Sequence, residues 1–253
     1  MQIISSKENK IYKLIKKLKT KKYREKEKLF IAEGRKFLDF KYKPRYYILN
    51  ENDIETYSYL IEKENTYIFS ENLFYEITTQ INSQGIILVY DYIPNNIEKL
   101  NNDIVILDKV QDPGNLGTII RLVDAVGLND IILTKGSVDI YNDKTIRSSM
   151  GSIFNLNIIY LETNELIELL KEKKYSVIST ALSDETIDYT EMKLEEKNAF
   201  VFGNEGNGIS DDILNISNKK IKIPIYGSAE SLNVGVATGI ILYKYREKRM
   251  TEK

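Results

Sequence analysis

The sequence predicts an α/β protein: a small N-terminal α/β domain followed by a larger domain with a Rossmann-like parallel sheet. Three observations predict it. From position 104 onward, six short apolar runs alternate with stretches whose apolar residues recur at helical spacing, the pattern of a parallel sheet covered on both faces. Residues 91–102 are polar, contain Pro94 and lack periodicity, which sets domain boundaries at 1–95 and 103–253. A hydrophobic content of 42% with 29% charged residues is that of a globular chain able to build proper cores.

Charge is divided unevenly along the chain. Residues 1–47 hold sixteen Lys and Arg against five Asp and Glu, a balance of +11, and the remainder holds twenty against thirty-two, −12. A basic segment joined to an acidic body suggests a region that binds phosphate backbones. Ser5 with Glu8 offers a capping box, and Ile11, Leu14, Ile15 and Leu18 then fall on one helical face. Lys13, Lys17, Lys21, Lys22 and Arg24 occupy other faces, where they serve either as a solvated surface or as RNA contacts. Tyr12, Tyr23, Tyr42, Tyr46 and Tyr47 lie among these cations, and such rings suit stacking on unpaired bases. Strands are expected over 29–32, 46–49, 67–69 and 86–90, with a short helix near 35–40 and another over 71–77 capped by Ser70.

In the second domain, strands are expected over 104–107, 131–133, 156–160, 176–180, 199–202 and 221–223. Helices are expected near 116–126, 143–151, 164–173, 209–216 and 232–247. Three loops at strand ends stand out. The first is Asp108-Lys109-Val110-Gln111-Asp112-Pro113-Gly114-Asn115, running into a helix that carries Arg121. The second is Gly203-Asn204-Glu205-Gly206-Asn207-Gly208. The third runs from Ile223 to Asn233 and sets Ser231 and Asn233 at the mouth of the last helix. Each taken singly is an ordinary turn or helix entry. Loops at the carboxyl ends of parallel strands, opening onto helix N-termini, are also where open α/β proteins bind ligands.

Asn115 with Arg121, Gly203-Asn204-Glu205-Gly206, and Ser231-Leu232-Asn233 occur together in the order and context of three motifs. In this the chain resembles the SpoU (TrmH) family of RNA 2′-O-ribose methyltransferases, of the SPOUT superfamily, over residues 104–248. No motif position departs from the pattern. Residues 5–34, together with Lys135-Gly136-Ser137-Val138-Asp139 and Arg147-Ser148-Ser149-Met150-Gly151-Ser152, are similar to the rRNA-modifying branch. The resemblance implies methyl transfer from S-adenosylmethionine (SAM) to a ribose 2′-hydroxyl, in ribosomal RNA (23S) or, as the alternative, tRNA. It implies a SAM site at Thr180, Gly203, Asn204, Ile223 and Leu232, and catalytic residues Arg121, Asn115, Glu205, Ser231 and Asn233. Arg147 joins the N-terminal cations as an RNA contact. A trefoil knot and a homodimer are implied by the family alone.

The inventory of side chains is compatible with this chemistry. There is no histidine and no cysteine, so thiol nucleophiles, thiolate metal sites and the usual general base are excluded, and no metal is expected. Methyl transfer needs alignment and removal of one proton, for which arginine is a poor base because its pKa exceeds about 12. Arg121 is therefore either the base or a clamp on phosphate. No apolar run reaches membrane-spanning length and no signal peptide precedes the first helix, so a cytoplasmic protein is expected. Two other functions remain open: a nucleotide-binding enzyme using loop 112–117, which lacks a third glycine, and a non-catalytic RNA-binding module of the same fold.

Overall fold

The computed structural model describes residues 2–100, 102–182 and 185–251, and the chain divides into two compact units. The first comprises Met1–Ile93 with Tyr141–Arg147, the second Pro94–Ile140 with Ser148–Lys253. The segment Tyr141–Arg147 thus packs with the first unit although it lies far along the sequence from the rest of it.

The first unit runs β1 (Ile3–Ile4), α1 (Lys10–Leu18), α2 (Lys21–Glu27), β2 (Leu29–Glu33), β3 (Tyr46–Asn50), α3 (Ser58–Ile61), β4 (Thr66–Phe69), α4 (Glu71–Ile77) and β5 (Ile86–Asp91). Its sheet is mixed, in the order β1-β4-β3-β5-β2. Helices α1 and α4 cover it, burying Tyr12, Ile15 and Leu18 against Phe69, Leu73 and Phe74. The apolar spacing read from the sequence is therefore the core face of α1. Its N-cap is Asn9, whose side chain accepts from the Ile11 and Tyr12 N–H groups. The Ser5–Glu8 capping box does not form; Asn caps as well as Ser, and Glu8 instead pairs with Lys13. Ser70 precedes α4 but makes no side-chain cap.

Arg24 needs a correction. It is only 6% exposed, and its guanidinium donates to the Leu18 and Lys19 carbonyls, each at 2.9 Å. Those carbonyls end α1 without helical partners, and Arg24 satisfies them. This cation is spent inside the protein and does not face RNA.

The second unit contains β6 (Ile104–Leu107), α5 (Pro113–Ala125), β7 (Asp130–Thr134), β8 (Asn157–Leu161), α7 (Thr163–Glu172), β9 (Ser176–Thr180), β10 (Ile187–Asp188), β11 (Asn198–Phe202), α8 (Asp211–Leu214), β12 (Lys219–Lys222) and α9 (Val234–Thr251). Between β7 and β8 lies α6 (Asp143–Ser149), whose residues to Arg147 belong to the first unit. Among the described residues the sheet has seven strands, all parallel, ordered β10-β12-β9-β11-β6-β7-β8. Six were expected. The addition is β10, whose two residues are too few for any periodicity; β12 overlaps the strand expected over 221–223 and begins earlier, on Lys219 and Lys220. The helix expected over 209–216 is a single turn.

Strand β6 is completely buried, as a strand covered on both faces must be. Just before it, Asp103 accepts from the Asn198 backbone N–H at 2.6 Å and the Tyr245 hydroxyl at 2.8 Å, and pairs with Arg249 at 3.0 Å. This ties α9 to the amino ends of β6 and β11. Burial, with Asp103 beside it, pushes the Tyr245 hydroxyl up to about 12.

In the first unit, Glu76 on α4 accepts from Tyr12 at 2.5 Å and pairs with Lys16 at 3.0 Å and with Lys7. These donors, Lys7 foremost, hold its carboxyl near 2. A carboxylate depressed in the folded state contributes stability above its unfolded pKa and loses it as pH falls through the folded one. Glu76→Gln should thus lower the urea midpoint near neutrality. The gap to wild type should close as pH falls from about 4.5 toward 2; a gap constant across that window would contradict the pairing.

Candidate active site

Four neighbouring strands aim their carboxyl ends at one place. In the sheet order β12-β9-β11-β6 they deliver loop 223–233, Thr180, loop 203–210 and loop 108–112. Because these strands are parallel, the loops gather at one edge of the sheet, where ligands bind in open α/β folds. The first three border a cleft of about 690 Å³ lined by Thr180, Gly203, Asn204, Ile223 and Leu232. All five expected SAM positions are therefore brought together, and Glu205, Ser231 and Asn233 share the same walls. The volume falls in the range of small-molecule sites, roughly 300–1,000 Å³.

The walls are made largely of backbone. From Pro224 to Leu232 the main chain makes no hydrogen bond with another described residue, so its N–H and C=O groups can serve an adenine edge or a carboxylate. Loop 203–210 is closed on itself by paired backbone bonds between Asn204 and Gly208, each 2.9 Å. The Asn204 side chain accepts from the Gly206 and Asn207 N–H groups and donates to the Lys109 carbonyl at 2.8 Å. This closure requires glycine at 203: a Cβ there would lie 2.2 Å from the Gly208 carbonyl carbon.

Asn115 joins the three loops. Its side-chain NH₂ donates to Glu205 at 2.9 Å, and its side-chain oxygen accepts from the Asn233 NH₂ at 2.9 Å. Local structure fixes each member. Asp112 caps α5 by accepting from the Asn115 N–H at 2.8 Å, with Pro113 as the first helical residue. Asn233 caps α9, accepting from the Gly235 and Val236 N–H groups. Glu205 also faces the Gln111 and Asp112 N–H groups at 3.4 Å. Sequence reasoning missed Asp108, which is 1% exposed and accepts from the Thr134 hydroxyl and the Ser210 N–H, both at 2.7 Å. An acid ending a wholly apolar strand was the signal for it.

Arg121 does not join this cluster. It lies six residues beyond Asn115 on α5, about 9 Å along the axis and a third of a turn round. There it is exposed and makes no hydrogen bond or ion pair with a described residue. Ser231 is likewise exposed and unpartnered.

In the first unit, Lys13, Lys17, Lys21 and Lys22 are exposed on α1 and α2. Lys13 pairs with Glu8, Lys21 with Glu25 at 3.7 Å, and Lys17 lies 5.4 Å from the Tyr23 ring centre. Exposed pairs of this kind are worth about 0–1 kcal/mol, so a phosphate can displace them. Arg147 is exposed and borders a cleft of about 100 Å³ with Lys19 and Glu33. Burial holds the Lys19 ammonium below its usual value. No group of three or more His, Cys, Asp or Glu among the described residues could hold a metal ion.

Comparison with known proteins places these features in context. Residues 102–243 match the model of the SpoU rRNA methylase family, and residues 9–88 match that of the MRM3-like substrate binding domain. The chain is 35% identical over 249 residues to the 23S rRNA (guanosine(2553)-2′-O)-methyltransferase RlmP of Bacillus subtilis, covering 97% of this chain and 100% of that one. It is 34% identical to the tRNA (guanosine(18)-2′-O)-methyltransferase of Aquifex aeolicus, over 60% of this chain and 73% of that one. The crystal structure of an AdoMet-bound rRNA methyltransferase from Sinorhizobium meliloti superposes with a TM-score of 0.86 at 29% identity, covering 98% of each chain.

The Asn115 cluster depends on an amide, which offers a donor to Glu205 and an acceptor to Asn233 at once. Asn115→Asp should set two carboxylates against each other, costing roughly 1–3 kcal/mol of loop stability, with SAM affinity falling in step. The double change Asn115→Asp with Glu205→Gln restores donor and acceptor in reversed order and should recover most of that affinity by calorimetry. A double variant no better than Asn115→Asp alone would refute the assignment.

Proposed function

We propose that this chain, which belongs to the SpoU rRNA methylase family and is a SAM-dependent RNA 2′-O-methyltransferase, acts on 23S ribosomal RNA. One observation carries the reading from the structure: the loops after β11 and β12, held together through Asn115, wall a cleft of small-molecule size with Thr180 at the end of β9. The relative in Bacillus subtilis, alike over nearly the whole chain including the N-terminal unit, supports ribosomal RNA over tRNA. The tRNA enzyme of Aquifex aeolicus is alike over a smaller share.

The cleft suits the cofactor. Thr180, Gly203, Asn204, Ile223 and Leu232 would hold it, chiefly through main-chain groups. When bound, SAM supplies an electrophilic methyl group on a sulfonium that leaves as a neutral thioether. The chain's own residues must align the ribose oxygen with that methyl group and deal with one proton. Asn115, Glu205 and Asn233 fix the mouth of the cleft, and Ser231 stands beside them with its hydroxyl free to meet the ribose or its phosphate. The exposed, unpartnered guanidinium of Arg121 suits bidentate capture of a phosphate, which would anchor the target nucleotide and stabilise an alkoxide.

Because Arg121 is exposed and makes no hydrogen bond or ion pair with the cluster of its own chain, a second subunit completing the site fits this reading. Supporting it, Val236, Tyr243 and Met250 recur at seven-residue spacing on α9 and are 53%, 55% and 71% exposed. The trefoil knot belongs to the same reading and is supported by the order β9-β11-β6, in which a late strand enters between two earlier ones. The exposed lysines of α1 and α2, with Arg147, would contact RNA phosphates. No helix among the described residues is long and apolar enough to cross a membrane, which agrees with a cytoplasmic enzyme.

The decisive experiment is methyl transfer from labelled SAM to bacterial rRNA and tRNA in parallel. Label is expected in 23S rRNA and is expected to fall at least a hundredfold with Arg121→Ala. Label confined to tRNA would reverse the substrate assignment, and SAM binding without transfer to any RNA would favour a binding module. If Arg121 is a phosphate clamp, single-turnover pH profiles of wild type and Arg121→Ala should share one shape. An inflection lost in the variant would make Arg121 the base.

A further inference from the structure

Five residues other than glycine adopt positive φ among the described residues: Lys28, Asn65, Lys109, Met150 and Lys174. Four have an ordinary reason. Lys28 caps the C-terminus of α2, Lys174 follows the cap of α7, Met150 follows α6 directly, and Asn tolerates this conformation better than most residues. Lys109, at φ 54, ends no helix. It stands two residues beyond β6, in the loop that leads to Asn115.

The conformation is imposed from both sides. The Lys109 N–H donates to the Thr134 hydroxyl at 2.9 Å, and its carbonyl accepts from the Asn204 side chain at 2.8 Å. Thr134 is itself held by Asp108, and Asn204 belongs to the closed loop of the SAM cleft. Loop 134–138 is stapled to the same stretch by the Val138 N–H, which donates to Val110 at 2.9 Å. The side chain runs over Gly136, whose own φ is 101 and whose absent Cβ would lie 3.4 Å from the Lys109 Cγ. The stem is thus seated on backbone, while the ammonium is exposed and has no hydrogen bond or ion pair with a described residue.

Glycine would adopt this backbone without strain, and a lysine here is the costlier choice for the fold. Strain kept at a site's rim, on a residue whose charge no protein group uses, is spent on something the folded chain alone does not contain. The geometry points to Lys109 as a phosphate-contacting residue that holds the substrate RNA strand against the rim formed by loops 108–112 and 203–210. An anion of the phosphodiester type fits: the ammonium is a point donor on a seated stem, and phosphate contacts set the register of a nucleic acid strand. This rests on the proposed RNA substrate and adds a positioning residue outside the family motifs quoted above.

The test uses Lys109→Gly, Lys109→Gln and Lys109→Arg in the full-length chain. Lys109→Gly should raise the urea midpoint, because the strain is removed, and should leave SAM affinity unchanged. RNA affinity at about 0.1 M salt should fall roughly tenfold in both Lys109→Gly and Lys109→Gln, with the slope of log K against log salt reduced by ~0.7–0.9, the value for one lost phosphate contact. Lys109→Arg should keep the slope. A merely structural role would lower the midpoint of Lys109→Gly or leave the salt slope unaltered, and either result overturns the assignment. Binding is read without turnover. If wild type binds RNA but methylates none, the enzymatic reading fails while the Lys109 variants still decide the contact.

Discussion

The site depends on one side-chain amide. Asn115 is the only residue described here that bonds to both of the other motif loops, and it does so with opposite polarities on its two ends. A carboxylate could not donate to Glu205, and an ammonium could not accept from Asn233. Its own backbone is set by the Asp112 cap, so the geometry of a helix N-terminus is passed directly to the mouth of the cleft. Three loops that are far apart in sequence are positioned by bonds of ordinary length, each worth on the order of 1 kcal/mol.

Those bonds can form because the sheet has already brought the loops close. Four adjacent parallel strands end at one edge, and Asp108 pins the end of β6 to the loop after β11 through the Ser210 N–H. At the opposite edge Asp103 gathers Asn198, Tyr245 and Arg249. A buried carboxylate is tolerable at both places because its oxygens are satisfied by several donors. The two acids, one at each end of β6, fasten α8 and α9 to the sheet.

A protein without histidine does its chemistry by placement. The cleft offers unpaired main-chain groups, its mouth an amide network, and the cations that could meet phosphate are left exposed. Lys109 and Arg121 illustrate two ways to keep a cation ready: one is seated on a strained backbone, the other stands free on a helix.

Much of this was legible in the sequence. The alternation from Ile104 onward reports the parallel sheet because a strand buried on both faces must be continuously apolar. The residues of the cleft were legible through three motifs whose order matches a known family. The lysine-rich N-terminus hid one exception. Arg24 looks like its neighbours in sequence, and only the fold reveals that it closes the end of α1. Likewise β10 carries no apolar pattern, being two residues long, and exists because β12 offers it a ladder to join. The strained Lys109 could not be foreseen either, since its φ is set by Thr134 and Asn204, residues 25 and 95 positions away. Local pattern determined the elements, their types and the chemistry they carry. Their adjacency, and with it the Asn115 network and the separation of Arg121 from it, was decided by tertiary structure, because strand order and long-range hydrogen bonds leave no periodic mark on a chain.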